Sequence, residues 1–257
     1  MQDLRISLLQ TDLIWENPKE NRDRFEQLIR GLEQTDLAVL PEMFTTGFTM
    51  HSAQVAEQQP YPSLDWMRNL SKETGIGICG SLVAKDGDDY FNRLYLVLPD
   101  GREMKYDKRH LFRMANEEKH YSPGSESAII DFRGWRIKPL ICYDLRFPVW
   151  SRNRNDYDLL LYVANWPKAR TSAWEALLRA RAIENYCYCA GVNRVGFDRN
   201  EVAYEGASGI YDMKGVLVNE IARDREAVVH HSLSGKELLE YREKFPVHLD
   251  ADDFEIT

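Results

Sequence analysis

The chain has 257 residues, 44% of them apolar and 29% charged, which is the composition of an ordinary globular protein long enough for one large domain. A net charge of −8 and an isoelectric point near 5.4 exclude a broad basic face for nucleic acid. No segment approaches the roughly 18 consecutive apolar residues that span a bilayer, and MQDLRISLLQ lacks the pattern of an export signal, so a cytoplasmic location is expected.

LRISLLQ (4–10) reads as a strand. NPKENRDRFEQLIRGLEQ then opens a helix, with Asn17 as N-cap, Pro18 at the first helical position and Glu20 completing a capping box. Phe25, Leu28, Ile29 and Leu32 fall on one helical face. DLAVLPE (36–42) is a short apolar strand ended by Pro41 and Glu42. A helix follows from about Ser63 to Thr74, and Gly75 serves as its C-cap. IGICGSLVA and RLYLVLPDG form a strand pair across KDGDD. After KYDKRHLF and a polar loop, AIIDFRGWRIKPLIC reads as a hairpin turning near Gly134, and DLLLYVANW (158–166) as another apolar strand. SAWEALLRARAIEN (172–185) is a helix with a Ser172–Glu175 capping box. Two further strand segments follow, then a final helix from Ser234. With no repeat and no low-complexity linker, residues 1–257 read as a single α/β domain with at least one mixed sheet; the pattern leaves open whether one sheet or two packed sheets form its centre.

Several apparent motifs lead nowhere. GIGICG (75–80) matches a dinucleotide fingerprint in letters, but a helix precedes it and a strand runs through it, the reverse of the required context. The cysteines of CYC (187–189) are too close for the usual metal-ligand spacing. With Cys79 they read as buried, reduced thiols. His230 and His231 point apart if they lie in a strand.

Cys142 is different, because LICYDLRFP (140–148) ends an apolar strand in a cysteine beside a turn. A cysteine nucleophile needs a proton acceptor and a donor for the oxyanion formed when it attacks a carbonyl. Glu42 and Lys108, both in strand-end or turn segments, can supply those functions. Each also fits an ordinary reading, Glu42 as a solvated loop residue and Lys108 as part of a basic stretch.

VLPEMFTTGF, YDKRHLF and LICYDLRFP, in this order and separation, resemble the three signature blocks of the nitrilase or carbon–nitrogen hydrolase superfamily. Residues 164–188 resemble its helix after the catalytic strand. The wording of PEMFTTGF, CYDLRFP, VANWP and FPVHLDADDF is most similar to the omega-amidase branch. The resemblance implies a four-layer αββα sandwich protomer that pairs into an eight-layer homodimer. It also implies a Glu42–Lys108–Cys142 triad, with the backbone N–H of Tyr143 as a second oxyanion donor. In RMANEEKHYSPG, Glu117 is preferred to Glu118 as a supporting second glutamate. Arg146 is the candidate grip for a substrate carboxylate, or else a brace for Asp144. Phe44, Phe48 and Trp166 are candidate pocket walls, while Arg181, Glu184 and Asn185 read as structural. No metal or organic cofactor is implied.

The implied reaction is hydrolysis of the terminal carboxamide of a small dicarboxylate monoamide, such as 2-oxoglutaramate or 2-oxosuccinamate. It would clear products of glutamine transamination, including transamination linked to methionine salvage. N-carbamoyl amine hydrolysis, nitrile hydrolysis and a non-catalytic binding module on the same scaffold are the alternatives.

Overall fold

The computed structural model describes residues 1–256. The first half of the chain runs β1 (Leu4–Gln10), α1 (Pro18–Arg30), β2 (Leu37–Val39), α2 (Ser52–Val55), α3 (Pro62–Thr74), β3 (Gly77–Asp86), β4 (Asp89–Val97) and β5 (Glu103–Asp107). The second runs β6 (Ile130–Phe132), β7 (Trp135–Ile141), α4 (Pro148–Ser151), β8 (Leu159–Ala164), α5 (Thr171–Glu184), β9 (Tyr188–Asn193), β10 (Val195–Phe197), β11 (Ala203–Glu205), β12 (Gly209–Tyr211), β13 (Ala227–Leu233) and α6 (Gly235–Lys244). Six strands form a mixed sheet in the order β13-β1-β2-β3-β4-β5. Five more form a second sheet in the order β12-β9-β8-β7-β6, and β10-β11 stands apart as a hairpin.

Strand alternation dictates the layering. Leu4, Ile6 and Leu8 on β1, Leu37 and Val39 on β2, and Leu94 and Leu96 on β4 face the core shared with the second sheet. Leu9, Ala38, Tyr95 and Val97 face the other way and pack with Phe25 and Ile29 of α1 and Leu64 and Met67 of α3. In the second sheet, β8 is buried throughout, because β7 and β9 flank it in parallel and α5 covers the outer side through Trp174, Leu178 and Ala182. The result is the αββα sandwich.

Local sequence signals account for most element ends. Asn17 caps α1, its Oδ1 accepting the Glu20 N–H at 3.2 Å, while its Nδ2 donates to Glu20 Oε2 at 3.0 Å. Gly75 closes α3 in the left-handed conformation at φ 72°. Ser234 accepts from the Glu237 N–H at the start of α6. The Ser172–Glu175 capping box does not form. Helix α5 begins one residue earlier, at Thr171, and Glu175 instead accepts from the Arg223 guanidinium at 2.5 Å. The 36–42 segment is strand only over Leu37–Val39, since Pro41 and the turn at Met43 (φ 45°) take the chain out of the ladder. No helix among the described residues is long and apolar enough to cross a membrane.

One glycine sets how closely α5 approaches the sheet. A Cβ built on Gly191 would lie 2.6 Å from the Trp174 ring and 2.7 Å from Leu178. Gly191→Ala should therefore destabilise the fold by about 1–3 kcal/mol through overpacking, read as a lower midpoint in urea unfolding. An unchanged midpoint would contradict this packing.

Candidate active site

The site lies where strands of both sheets end. Glu42 follows β2, Lys108 follows β5, Cys142 follows β7, and Asn165 and Trp166 follow β8. Such strand ends leave backbone groups free of the ladder and collect side chains from separate elements at one crevice.

Glu42 is fully buried and held by polar partners. Its Oε1 accepts from Lys108 Nζ and from Asn92 Nδ2, each at 2.8 Å, and its Oε2 accepts from the backbone N–H of Asn165 at 2.8 Å. The Asn165 side-chain amide also donates to the Glu42 carbonyl. Neither ordinary reading applies, because the Lys108 side chain is as fully enclosed as that of Glu42. Its Nζ also donates to both oxygens of Glu117 at 3.0 Å, and the Phe112 N–H donates to Glu117 Oε2 at 2.6 Å. Glu117 is thus the glutamate that engages Lys108, whereas Glu118 is turned towards Arg113, 3.9 Å away.

Burial alone would drive the Lys108 ammonium towards its neutral form, but the Glu117 and Glu42 carboxylates outweigh it, and the ammonium is held firmly charged. Burial, only partly offset by Lys108, raises the Glu117 carboxyl above its usual range, and the neighbouring Glu42 charge adds to the effect. Burial likewise pushes the Cys142 thiol well above a free cysteine. The nearby Glu42 charge reinforces this, against the opposing pull of Lys108, while the thiol itself lies 3.9 Å from the Asn165 carbonyl. Cys142 therefore rests as a protonated thiol.

Cys142 itself sits at φ 43°, a left-handed conformation that is strained for a non-glycine residue, at the first position of a short 3-10 turn spanning Cys142–Arg146. Asp144 holds that turn. Its carboxylate accepts from the Ile141 N–H at 3.0 Å, the Tyr106 hydroxyl at 2.7 Å, and His110 through both the backbone N–H at 3.1 Å and Nδ1 at 2.7 Å. Arg181 on α5 adds a bond to the Leu145 carbonyl at 2.6 Å and pairs with Glu184, the structural part read for it in the sequence. At the start of such a turn the Tyr143 N–H has no intrahelical acceptor and is available to a ligand.

Cys142 opens onto a cavity of about 440 Å³ lined by Phe48, Phe112, Tyr143, Trp166 and Tyr204 together with Lys108 and Asn165. Arg146 lines the same cavity. It does not brace Asp144; its guanidinium lies over the Trp166 ring at 5.1 Å, with no carboxylate within 4.0 Å among the described residues. Phe48 and Trp166 are on the lining, and the Phe48 ring centre lies 5.1 Å from Lys108 Nζ. Phe44 is not. Its ring faces the helical layer against Phe25 and Trp66, at 5.6 and 5.8 Å, because the left-handed turn at Met43 directs it away from the cleft. Sequence reading missed Asn92, Asn165, His110 and Arg170. Only Asn92, a lone amide inside an apolar strand, left a visible signal.

A thiol, a carboxylate and an ammonium converging at the strand ends of an αββα sandwich define the nitrilase class of hydrolase. The chain belongs to the carbon-nitrogen hydrolase family, whose sequence model matches residues 5–243. It is 48% identical to the omega-amidase YafV of Yersinia enterocolitica, over 99% of both chains. It is 34% identical to the 2-oxoglutaramate amidase of Bacillus subtilis, over 95% of this chain and 96% of that one. Among solved structures, XC1258 from Xanthomonas campestris, a CN-hydrolase superfamily protein with an arsenic adduct in its active site, superposes with a TM-score of 0.97 at 45% identity over the whole of both chains.

The electrostatics of Cys142 can be read directly by alkylation. Iodoacetamide labelling of the native enzyme, with Cys142→Ala as control, should still be accelerating above pH 9. Glu42→Gln should move the labelling midpoint to lower pH, because it removes an anion that disfavours the thiolate. A wild-type midpoint near neutrality would contradict this.

Proposed function

We propose that this protein is an omega-amidase that converts the carboxamide of a small dicarboxylate monoamide, 2-oxoglutaramate or 2-oxosuccinamate, to the acid and ammonia. The observation that carries the reading is that one cavity is lined both by Cys142 and Lys108 and by Arg146. Lys108 there is hydrogen-bonded to Glu42, and the Arg146 guanidinium, with no carboxylate within 4.0 Å among the described residues, suits a substrate whose far end is anionic. The names and identities of the relatives support the same substrate class.

In this mechanism Glu42 takes the thiol proton as Cys142 Sγ bonds to the carboxamide carbon. The oxyanion is held by Lys108 Nζ and the Tyr143 N–H, with Glu117 keeping Lys108 in place. Collapse of the adduct breaks the C–N bond; ammonia leaves with the proton held by Glu42, and a thioester remains. Glu42 then takes a proton from water, whose oxygen attacks the thioester. The acid is released, and the proton returns to Cys142. The thiol and carboxylate are regenerated after each turnover.

The assembly belongs to the same proposal. The exposed Val149 on α4 and Ile183 on α5 sit on the elements that flank the Cys142 turn, a fitting place for pairing into an eight-layer homodimer. Four unpaired, buried cysteines suit the reducing cytoplasm. Sedimentation velocity should give twice the protomer mass, and a monomer at micromolar concentration would overturn the pairing.

Ammonia release from 2-oxoglutaramate should be abolished in Cys142→Ala and fall by roughly 10²–10⁴-fold in Glu42→Gln, the range for loss of a general base. Release of carbon dioxide from an N-carbamoyl amine at a higher kcat/KM would instead assign the carbamoyl reaction.

A further inference from the structure

The charges lining the cavity do not balance locally. Lys108 is already paired with two carboxylates. Asp198 is the one acidic residue of the lining, and it is committed to its own loop. It accepts from the Asn200 N–H at 2.8 Å, the Val202 N–H at 3.0 Å and the Tyr204 hydroxyl at 2.9 Å. Arg170 joins Arg146 on the lining, and no carboxylate lies within 4.0 Å of its guanidinium among the described residues. Two residues earlier, Lys168 bonds Asp224 at 2.7 Å, so acids are available on this surface and do not reach Arg170. Its guanidinium is instead positioned by apolar groups, 5.3 Å over the Phe112 ring and 3.9 Å from the Met114 sulfur. A cation–π contact of this kind holds the guanidinium without a charged partner, and its N–H groups other than the one directed at Met114 are left for a ligand. One indole ties the two arginines together: the Trp166 ring underlies Arg146, while its Nε1 donates to the Arg170 carbonyl at 2.8 Å.

We propose that Arg170 is a specificity-determining residue that completes, with Arg146, a two-guanidinium subsite for a 2-oxo carboxylate. The inference rests on the amidase reading above and deepens it. A 2-oxo acid presents three acceptor oxygens in one near-planar group, two on the carboxylate and one on the ketone. A single bidentate arginine satisfies two of them, and a second guanidinium serves the third. A 2-amino acid amide presents an ammonium in place of the ketone, and two uncompensated cations repel it.

The test compares kcat/KM for 2-oxoglutaramate, succinamate, glutamine and the neutral amide butyramide in the wild type, Arg170→Gln and Arg170→Lys. Arg170→Gln should cut the ratio of 2-oxoglutaramate to butyramide by roughly tenfold to a hundredfold, the range for a hydrogen bond to a charged group. The loss should fall on KM more than on kcat. Arg170→Lys should restore part of it, and added salt should raise the wild-type KM for 2-oxoglutaramate more steeply than that of Arg170→Gln. An undiminished ratio in Arg170→Gln, with a collapsed ratio in Arg146→Gln, would leave Arg146 as the whole subsite and overturn the proposal. A wild type that shows no preference for 2-oxoglutaramate over butyramide would overturn the amidase reading itself, and the subsite with it.

Discussion

The Lys108 ammonium, enclosed between Glu42 and Glu117, is the interaction on which the rest of the site depends. All three side chains are shut off from solvent, so none can replace a lost partner with bulk water. A buried charge stripped of its counter-ion destabilises a fold by about 3–5 kcal/mol. The three residues come from the end of β2, the end of β5 and the 3-10 turn at Glu117–Lys119, so the ion cluster sets the relative placement of three separate loops. Asn92 strengthens the placement from β4, giving its side-chain amide to Glu42 while its carbonyl accepts the Lys108 N–H at 3.0 Å.

The nucleophile is placed by a second, independent device. A non-glycine residue in the left-handed region costs about 1–3 kcal/mol, and such strain persists only where the surroundings over-determine it. Asp144 provides that, because one buried carboxylate gathers donors from β7, from Tyr106 at the end of β5 and from His110 beyond Lys108. The turn that carries Cys142 and the segment that carries Lys108 are therefore bonded to the same two oxygens. The spacing between thiol and ammonium follows from that shared anchor, with α5 bracing the far side through Arg181.

What the sequence disclosed follows the same physics. Strand β1 is legible residue for residue because it is a short, mostly apolar run that is buried at every position but Arg5, and the β3-β4 hairpin because KDGDD separates two apolar runs. Cys142 was legible because it ends an apolar strand that has no use for it, whereas Glu42 and Lys108 each fit an ordinary local reading and stood out only through the resemblance of their blocks to the nitrilase signatures. Phe44 and Phe48 could not be told apart: both lie in a turn with positive φ at Met43 and Gly47, where no period relates sequence position to direction. Asp144 was visible as a residue, but its partners, Tyr106 and His110, lie more than thirty positions away and come together only in the fold. Arg170 left no signal, since its distinction is the absence of a nearby acid, which is a fact of three dimensions.

The same arrangement explains why a protonated thiol suits this site. At rest the cluster holds two carboxylates and one ammonium around a neutral Cys142, so a thiolate would add a further anion to a closed, low-dielectric space; burial and Glu42 both oppose it. If the proton moves to Glu42 as sulfur attacks, the number of charges does not change. Negative charge leaves the carboxylate and reappears on the substrate oxygen, while Lys108, already within 2.8 Å of Glu42, faces it in both states. A fixed cation that serves the base before the step and the oxyanion after it needs little reorganisation, which is the condition under which buried electrostatics contribute most to rate. In the proposed mechanism Glu117 completes the arrangement by keeping the ammonium anchored and charged while its other partner gives up its negative charge.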